Sequence, residues 1–169
     1  MFKSHPKGLL AAALSNMGER FGYYIMNAVL ALFLCSKFGL AEGQAGLIYS
    51  IFYAGIYILS LVGGLIADKT QNYKGTIMTG LAIMASGYVI LSIPVLATPQ
   101  NSSFLLTVTC LALFLIAFGN GLFKGNLQAI VGQMYDNFEA EEAKKGAEAL
   151  AIAKDKRDSG FQIFYVFIN

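Results

Sequence analysis

The sequence places a carboxylate and a guanidinium side by side, at Glu19 and Arg20, in the middle of an apolar run. Polar side chains recur at helical spacing around this pair and share one stripe: Asn16, Arg20, Tyr23 and Asn27. A guanidinium offers a planar fork that fits a carboxylate, and a carboxylate can exchange its ionic partner for a proton. The pair could therefore bind an anionic or zwitterionic ligand and respond to protons.

The apolar run that carries this pair covers residues 9–33. At a rise of about 1.5 Å per residue, a helix of this length crosses a hydrocarbon core of about 30 Å. A charge at the membrane centre costs roughly 2.5 to 3.5 kcal/mol, so it normally faces another helix or a water-filled cavity and indicates a working site. An ion pair that only locks helices together is the alternative.

A second candidate is Lys124, the one charged residue in the apolar run 104–135. We expect it to face a cavity, although a lysine can also extend to the membrane interface. Gly121 and Gly125 form a small-xxx-small pair that favours close approach of another backbone. The stretch is not a phosphate-binding loop, because the Gly-x-x-x-x-Gly-Lys-Ser/Thr order is absent.

Three tyrosines in another apolar run follow one another at four-residue spacing: Tyr49, Tyr53 and Tyr57. This spacing places them on one face of a helix. Tyr57 is well inside the run, which favours a position in the wall of a cavity. Tyr49 is near the end of the run, where tyrosines usually belong to an interfacial belt.

Composition indicates the elements that position these residues. Hydrophobic residues make up 56% of the chain and charged residues 13%, and the mean hydropathy is +0.59. Because soluble domains average roughly 25% charged residues, this balance predicts an all-α, polytopic membrane protein. The net charge of +2 gives no indication of a nucleic-acid surface. The runs long enough to span a bilayer are 9–33, 46–67, 75–96 and 104–135.

The chain divides into three parts on this basis. Residues 1–135 are predicted to hold four transmembrane helices. Residues 136–160 form a connector whose Ala, Glu and Lys content predicts one surface helix over 139–156. Residues 161–169 begin a fifth apolar segment that is too short to span, so we expect a truncated bundle of four spans and the start of a fifth.

Basic residues orient the spans. One side of the expected membrane carries Lys3, Lys7, Lys69, Lys74, Lys144, Lys145, Lys154, Lys156 and Arg157, whereas the other carries Lys37. The positive-inside rule therefore predicts a cytoplasmic N-terminus and a cytoplasmic connector. Four spans that start in the cytoplasm return to it, which agrees with this assignment.

Enzyme chemistry has little support. Cys35 and Cys110 have no second cysteine or histidine at metal-ligand spacing, and His5 lies outside the predicted spans. The sequence contains no serine-histidine arrangement and no redox cofactor motif. We therefore expect no enzyme activity, no metal and no cofactor.

Residues 19–24, Glu-Arg-Phe-Gly-Tyr-Tyr, resemble the E-x-x-E-R-F-x-Y-Y signature on the first helix of the proton-coupled oligopeptide transporter family, within the major facilitator superfamily. Gly64, Asp68, Lys69 and Lys74 resemble the superfamily's cytoplasmic loop motif. Residues 121–126 are similar to the family's G-x-x-K-P-N element, and residues 157–169 are similar to the start of its fifth helix. The resemblance leaves out only an insertion around residues 139–153.

This resemblance implies a twelve-helix fold of two six-helix bundles, in which a small peptide binds between the bundles and is carried inward with protons by alternating access. The chain would lie in the cell (inner) membrane, in contact with lipid, and its missing partner would be the C-terminal bundle. The resemblance implies a role for each matched residue. Arg20 faces the peptide carboxylate, Tyr24 and Tyr57 line the pocket, and Asn169 contacts the peptide backbone. Lys124 takes part both in substrate binding and, with Glu19, in proton coupling.

The sequence departs from the family pattern at three positions. Asn16 stands where the family usually has its first glutamate, so Glu19, or a group outside this chain, must carry the proton if coupling survives. Asn27 replaces an arginine of many members, and Gly125 replaces a proline. Two alternatives therefore stay open. One is a transporter of another carboxylated metabolite, and the other is a helix bundle that does not transport.

Overall fold

The computed structural model describes residues 5–167, and all of the regular secondary structure within them is α-helical. The helices are α1 (Leu9–Phe38), α2 (Glu42–Thr70), α3 (Tyr73–Ser92), α4 (Ser102–Ala143) and α5 (Ala147–Val166). Helices α1 to α4 are each long and apolar enough to cross a membrane, which confirms the four predicted spans. Helix α3 ends before the predicted residue 96, because Pro94 disfavours helical backbone at the residue that precedes it.

The predicted surface helix over residues 139–156 is wrong in its bounds. Helix α4 continues to Ala143, and α5 begins at Ala147 and runs without a break through the position where the fifth helix was expected to start. Gly146 separates the two helices with a φ of +131°, a backbone conformation that only glycine adopts readily. The charged insertion is therefore the adjoining ends of α4 and α5.

The chain forms two compact units. The terminal unit contains the described residues of Met1–Tyr24 and Leu127–Asn169. Its core is built around Tyr135, whose side chain is fully buried and whose ring packs against Phe138 and Phe161. Arg157 joins α5 to α4 by donating to Asp136 Oδ1 at 2.7 Å and to Glu139 Oε1 at 3.3 Å.

The central unit, Ile25–Asn126, packs α2 and α3 against α4 through glycines. A Cβ atom on Gly121 would lie 2.5 Å from the Leu59 carbonyl oxygen, and one on Gly80 would lie 2.7 Å from the Gly119 carbonyl oxygen. Asn126 Nδ2 donates to the Gly63 carbonyl at 3.0 Å and so ties α4 to α2. Small residues allow this close backbone approach in membrane helices.

Of the predicted pair, Gly121 packs against a neighbouring helix, whereas Gly125 makes no close contact. Substitution of each by alanine therefore provides a test of stability with a matched control. We expect Gly121→Ala to lower the free energy of unfolding by about 1–3 kcal/mol, because the new methyl group meets the backbone of α2. Gly125→Ala meets no atom closer than 3.9 Å, and alanine favours the helix. Unfolding in detergent should therefore show a loss of stability for Gly121→Ala alone. Equal stability of the two variants would contradict this packing.

Candidate functional site

Glu19 and Arg20 form a bidentate ion pair on α1, within the terminal unit. Arg20 Nε donates to Glu19 Oε2 at 2.6 Å, and Arg20 Nη2 donates to Glu19 Oε1 at 2.9 Å. The side chain of Arg20 is 11% exposed and that of Glu19 is only 1% exposed. The fork of Arg20 is therefore occupied by a carboxylate in a site that excludes most water, which is the geometry in which charge-assisted hydrogen bonds are strong.

Two tyrosines continue this site along α1. The guanidinium carbon of Arg20 lies 4.5 Å from the centroid of the Tyr23 ring, which is a cation–π contact. The Tyr23 ring meets that of Tyr24 edge-on, with 5.6 Å between the centroids. Tyr24 is 52% exposed. Asn16 is buried on the same helix.

The second candidate cation, Lys124, pairs with an aromatic ring within the central unit. Lys124 Nζ lies 4.8 Å from the centroid of the Tyr57 ring, and Tyr57 is 56% exposed. Within the described central unit, Lys124 forms no ion pair with a carboxylate. This lysine therefore keeps its ammonium group available beside an accessible phenol.

The contact between Lys124 and Tyr57 follows from the packing of α2 on α4. Gly121 is one turn before Lys124, and its backbone lies against the carbonyl of Leu59. Because Leu59 is two residues from Tyr57, this close approach brings the lysine side chain within reach of the phenol ring. The Asn126 bond to Gly63 fixes the same register from the other side of Lys124.

The four residues that resemble the superfamily's loop motif lie at or near the turn from α2 to α3. Asp68 Oδ1 accepts a hydrogen bond from the Tyr73 hydroxyl at 2.7 Å, and Lys69 and Lys74 are exposed. Asn72 begins α3 by accepting from the Gly75 amide at 2.9 Å. Gly64 has open space beside it, whereas its neighbour Gly63 makes the close helix contact. The sequence did not indicate Tyr73 as the partner of Asp68.

The sequence also did not indicate one polar contact in the central unit. The Tyr49 hydroxyl donates to Asn27 Oδ1, and the Tyr49 ring packs against that of Tyr53 with 4.7 Å between the centroids. The position of Tyr49 in an interfacial belt stays a prediction, and its hydroxyl bonds to α1. The signal was present in the sequence, because Asn27 belongs to the polar stripe and Tyr49 to the tyrosine ladder.

Asn169, the remaining candidate for substrate binding, lies outside the described residues. Over residues 5–167, no group of three or more His, Cys, Asp or Glu side chains could hold a metal ion. Within the described residues of the terminal unit, Arg20 lies beside a tyrosine and is paired with a carboxylate. Within the described residues of the central unit, Lys124 lies beside a tyrosine and forms no ion pair.

Known proteins resemble this chain along almost its whole length. The model of the POT family (PTR2) matches residues 74–169. A di-/tripeptide transporter of Lactococcus lactis subsp. cremoris is 34% identical over 175 residues, which cover 99% of this chain and 30% of that protein. The peptide transporter YePEPT of Yersinia enterocolitica subsp. palearctica is 32% identical over 173 residues, with the same coverage of both chains.

Among solved structures, a crystal structure of tetrameric PepTSo2 matches with a TM-score of 0.74 and 29% identity, over 95% of this chain and 29% of that one. The chain spans about 30% of the length of the curated relatives it matches. Its four apolar helices and its transporter relatives make it a multi-pass membrane protein related to transporters and not to enzymes. Because the family model matches more than half of the 169 residues, the chain belongs to the POT family.

Proposed function

We propose that this chain is the N-terminal part of a symporter that carries di- and tripeptides together with protons across the inner membrane by alternating access. The observation that carries this proposal is the bidentate pairing of Glu19 with Arg20 in a nearly dry site. A guanidinium that already holds one carboxylate can exchange it for another of the same geometry. The names of the Lactococcus and Yersinia relatives support a peptide as the source of that second carboxylate.

The pairing suggests a mechanism of charge competition. While Glu19 is ionised it fills the fork of Arg20, so the substrate carboxylate is excluded. Uptake of a proton by Glu19 from the outside neutralises this carboxylate and frees the guanidinium for the C-terminal carboxylate of the peptide. Loss of the same proton to the cytoplasm restores the ion pair, which displaces the peptide. One proton thus enters for each such exchange at Glu19.

The other candidate residues take supporting roles in this proposal. Tyr24 and Tyr57 present exposed phenols to the peptide, and the ammonium of Lys124 is a second cation for substrate or for the coupling network. Asn169 would contact the peptide backbone. A second bundle of helices would supply the opposite wall of the site.

The distribution of basic residues supports the proposed orientation. Lys69, Lys74 and the bases of residues 144–157 would face the cytoplasm, with the N-terminus on the same side. The turn from α2 to α3 would then be a cytoplasmic loop in which Gly64, Asp68, Lys69 and Lys74 form the superfamily motif. Lipid would cover the outer faces of the spans.

Uptake of a labelled dipeptide by cells that express the native gene product tests this function. We expect accumulation to rise when the outside is made more acidic than the cytoplasm, and unlabelled di- and tripeptides should compete with the label. Single amino acids and dicarboxylates should compete weakly, because they lack a peptide backbone. Competition by such metabolites alone would instead favour a transporter of another carboxylated compound.

A further inference from the structure

Residues 5–8, which precede α1, are held to the core of the terminal unit by a histidine that the proposed transport mechanism does not use. His5 Nδ1 lies 2.7 Å from the Tyr135 hydroxyl oxygen. The two rings meet edge-on, with 6.3 Å between the centroids and an angle of 80° between the planes. Because Tyr135 is fully buried in α4, this hydrogen bond reaches into the core.

Two glycines lie against neighbouring side chains of α4, Tyr135 and Met134. Gly160 of α5 lies directly against the Tyr135 hydroxyl, and any larger side chain at this position would overlap it. Gly8 lies against the end of the Met134 side chain, where a Cβ atom would be 2.6 Å from the terminal methyl group. The segment that contains His5 and Gly8 is therefore fitted closely to α4, and the hydroxyl that His5 meets is enclosed by α5.

His5 also lines a cleft of about 370 Å³ between the adjoining ends of α4 and α5. Its apolar wall consists of Phe138, Ala149, Ile152 and Ala153. Two charged side chains complete the lining. They are Lys156 on α5, with its ammonium 5.8 Å from the Phe138 ring centroid, and Glu142 on α4, with its carboxylate 2.6 Å from Lys145 Nζ.

These surroundings disfavour a charged imidazole at this position. Burial, and next the positive charge of Lys156, lower the pKa of His5 below its ordinary value of 6.5. Of the groups that face His5, Tyr135 carries no charge near neutral pH, and Glu142 is engaged with Lys145. Because docking lowers the pKa of His5, the docked segment binds a proton less readily than the undocked segment does. Docking is therefore most favourable at a pH above the pKa of the undocked imidazole. It becomes less favourable as the pH falls from that value towards the pKa of the docked imidazole.

We propose that His5 and Tyr135 form a pH-sensitive latch that holds residues 5–9 against α4 and α5 and releases them when the face on which they lie becomes acidic. Protonation of His5 places a second cation beside Lys156 in a partly dry cleft, and undocking returns that charge to water. The latch does not depend on the proposed transport. If the N-terminus is cytoplasmic, as proposed above, it would respond to the pH of the cytoplasm.

Amide hydrogen exchange on the native gene product in lipid nanodiscs tests the latch. The amides of Leu9 and Ala12 bond to the carbonyls of Pro6 and Gly8, so they report the start of α1. After correction for intrinsic exchange rates, we expect their protection to fall several-fold between about pH 7.5 and about pH 5. Amides in the middle of α4 should keep their protection over this range.

Three variants separate a titrating latch from a purely structural contact. His5→Gln can still bond to Tyr135 but does not titrate, so its protection should not depend on pH. Lys156→Met removes the neighbouring charge and should weaken the pH dependence without abolishing it. Tyr135→Phe keeps the ring but removes the hydroxyl, and it should lower protection at every pH. Equal protection of the wild type at both pH values, or an unchanged pH dependence in His5→Gln, would overturn the proposal.

Discussion

Glu19→Gln should abolish the accumulation of dipeptide that is driven by a proton gradient. Glutamine is nearly isosteric with glutamate, but it cannot take up a proton and it no longer neutralises Arg20. The guanidinium should then stay free for the substrate carboxylate throughout the cycle. Substrate exchange without a gradient should therefore persist, whereas accumulation above the outside concentration should be lost.

The measurement compares uptake of a labelled dipeptide under an inward proton gradient with its counterflow in the absence of a gradient. Glu148→Gln is the matched control, because Glu148 is an exposed glutamate at the start of α5 and should transport as the wild type does. Gradient-driven accumulation that is unchanged in Glu19→Gln would refute the role of Glu19 in coupling. Arg20 would then stand as a binding residue only.

Arg20→Lys should lose affinity for a dipeptide but not for the corresponding dipeptide amide. Lysine keeps the positive charge, but it lacks the planar fork that holds both oxygens of a carboxylate. Hydrogen bonds to charged groups contribute about 1.5–3 kcal/mol, so the loss of one should raise the KM for the dipeptide by roughly ten- to a hundredfold. The dipeptide amide has no C-terminal carboxylate, so it should inhibit uptake more weakly than the dipeptide does. Arg20→Lys should change this inhibition by the amide little.

Inhibition of uptake by the two compounds, measured in both proteins, gives the coupling between Arg20 and the carboxylate as a double-mutant cycle. Arg157→Lys is the matched control, because Arg157 binds Asp136 and Glu139 rather than the proposed substrate. An equal loss of affinity for the dipeptide and its amide would contradict direct contact between Arg20 and the carboxylate.

The spans could be predicted because each is an apolar run of bilayer length, whereas the turn between α4 and α5 could not. Residues 139–156 are rich in alanine, glutamate and lysine, and their helix propensity gave no reason to stop at Ala143. The break depends on the positive φ of Gly146, which is a property of the folded backbone. Local propensity predicts that these residues are helical, but tertiary packing decides where one helix ends and the next begins.

Contacts in the candidate site could be predicted where the two residues are close in sequence. The pairing of Glu19 with Arg20 needs only their adjacency and the cost of a lone charge among apolar residues. The contact between Lys124 and Tyr57 needs the register of α4 on α2, which is set by glycines that approach a backbone. The bonds from Tyr49 to Asn27 and from His5 to Tyr135 also join residues far apart in sequence. Helical periodicity indicates which face a residue occupies, but not which side chain it meets.

Proton movement driven by peptide tests the central claim most directly. In proteoliposomes that contain the native gene product and a pH-sensitive dye, a dipeptide is added outside with no initial proton gradient and with the membrane potential clamped. We predict that the lumen becomes acidic as the dipeptide enters, and that Glu19→Gln abolishes this acidification. Entry of the dipeptide with no change in luminal pH, or equal acidification in Glu19→Gln, would contradict the exchange of a proton and a peptide carboxylate at the Glu19 and Arg20 pair.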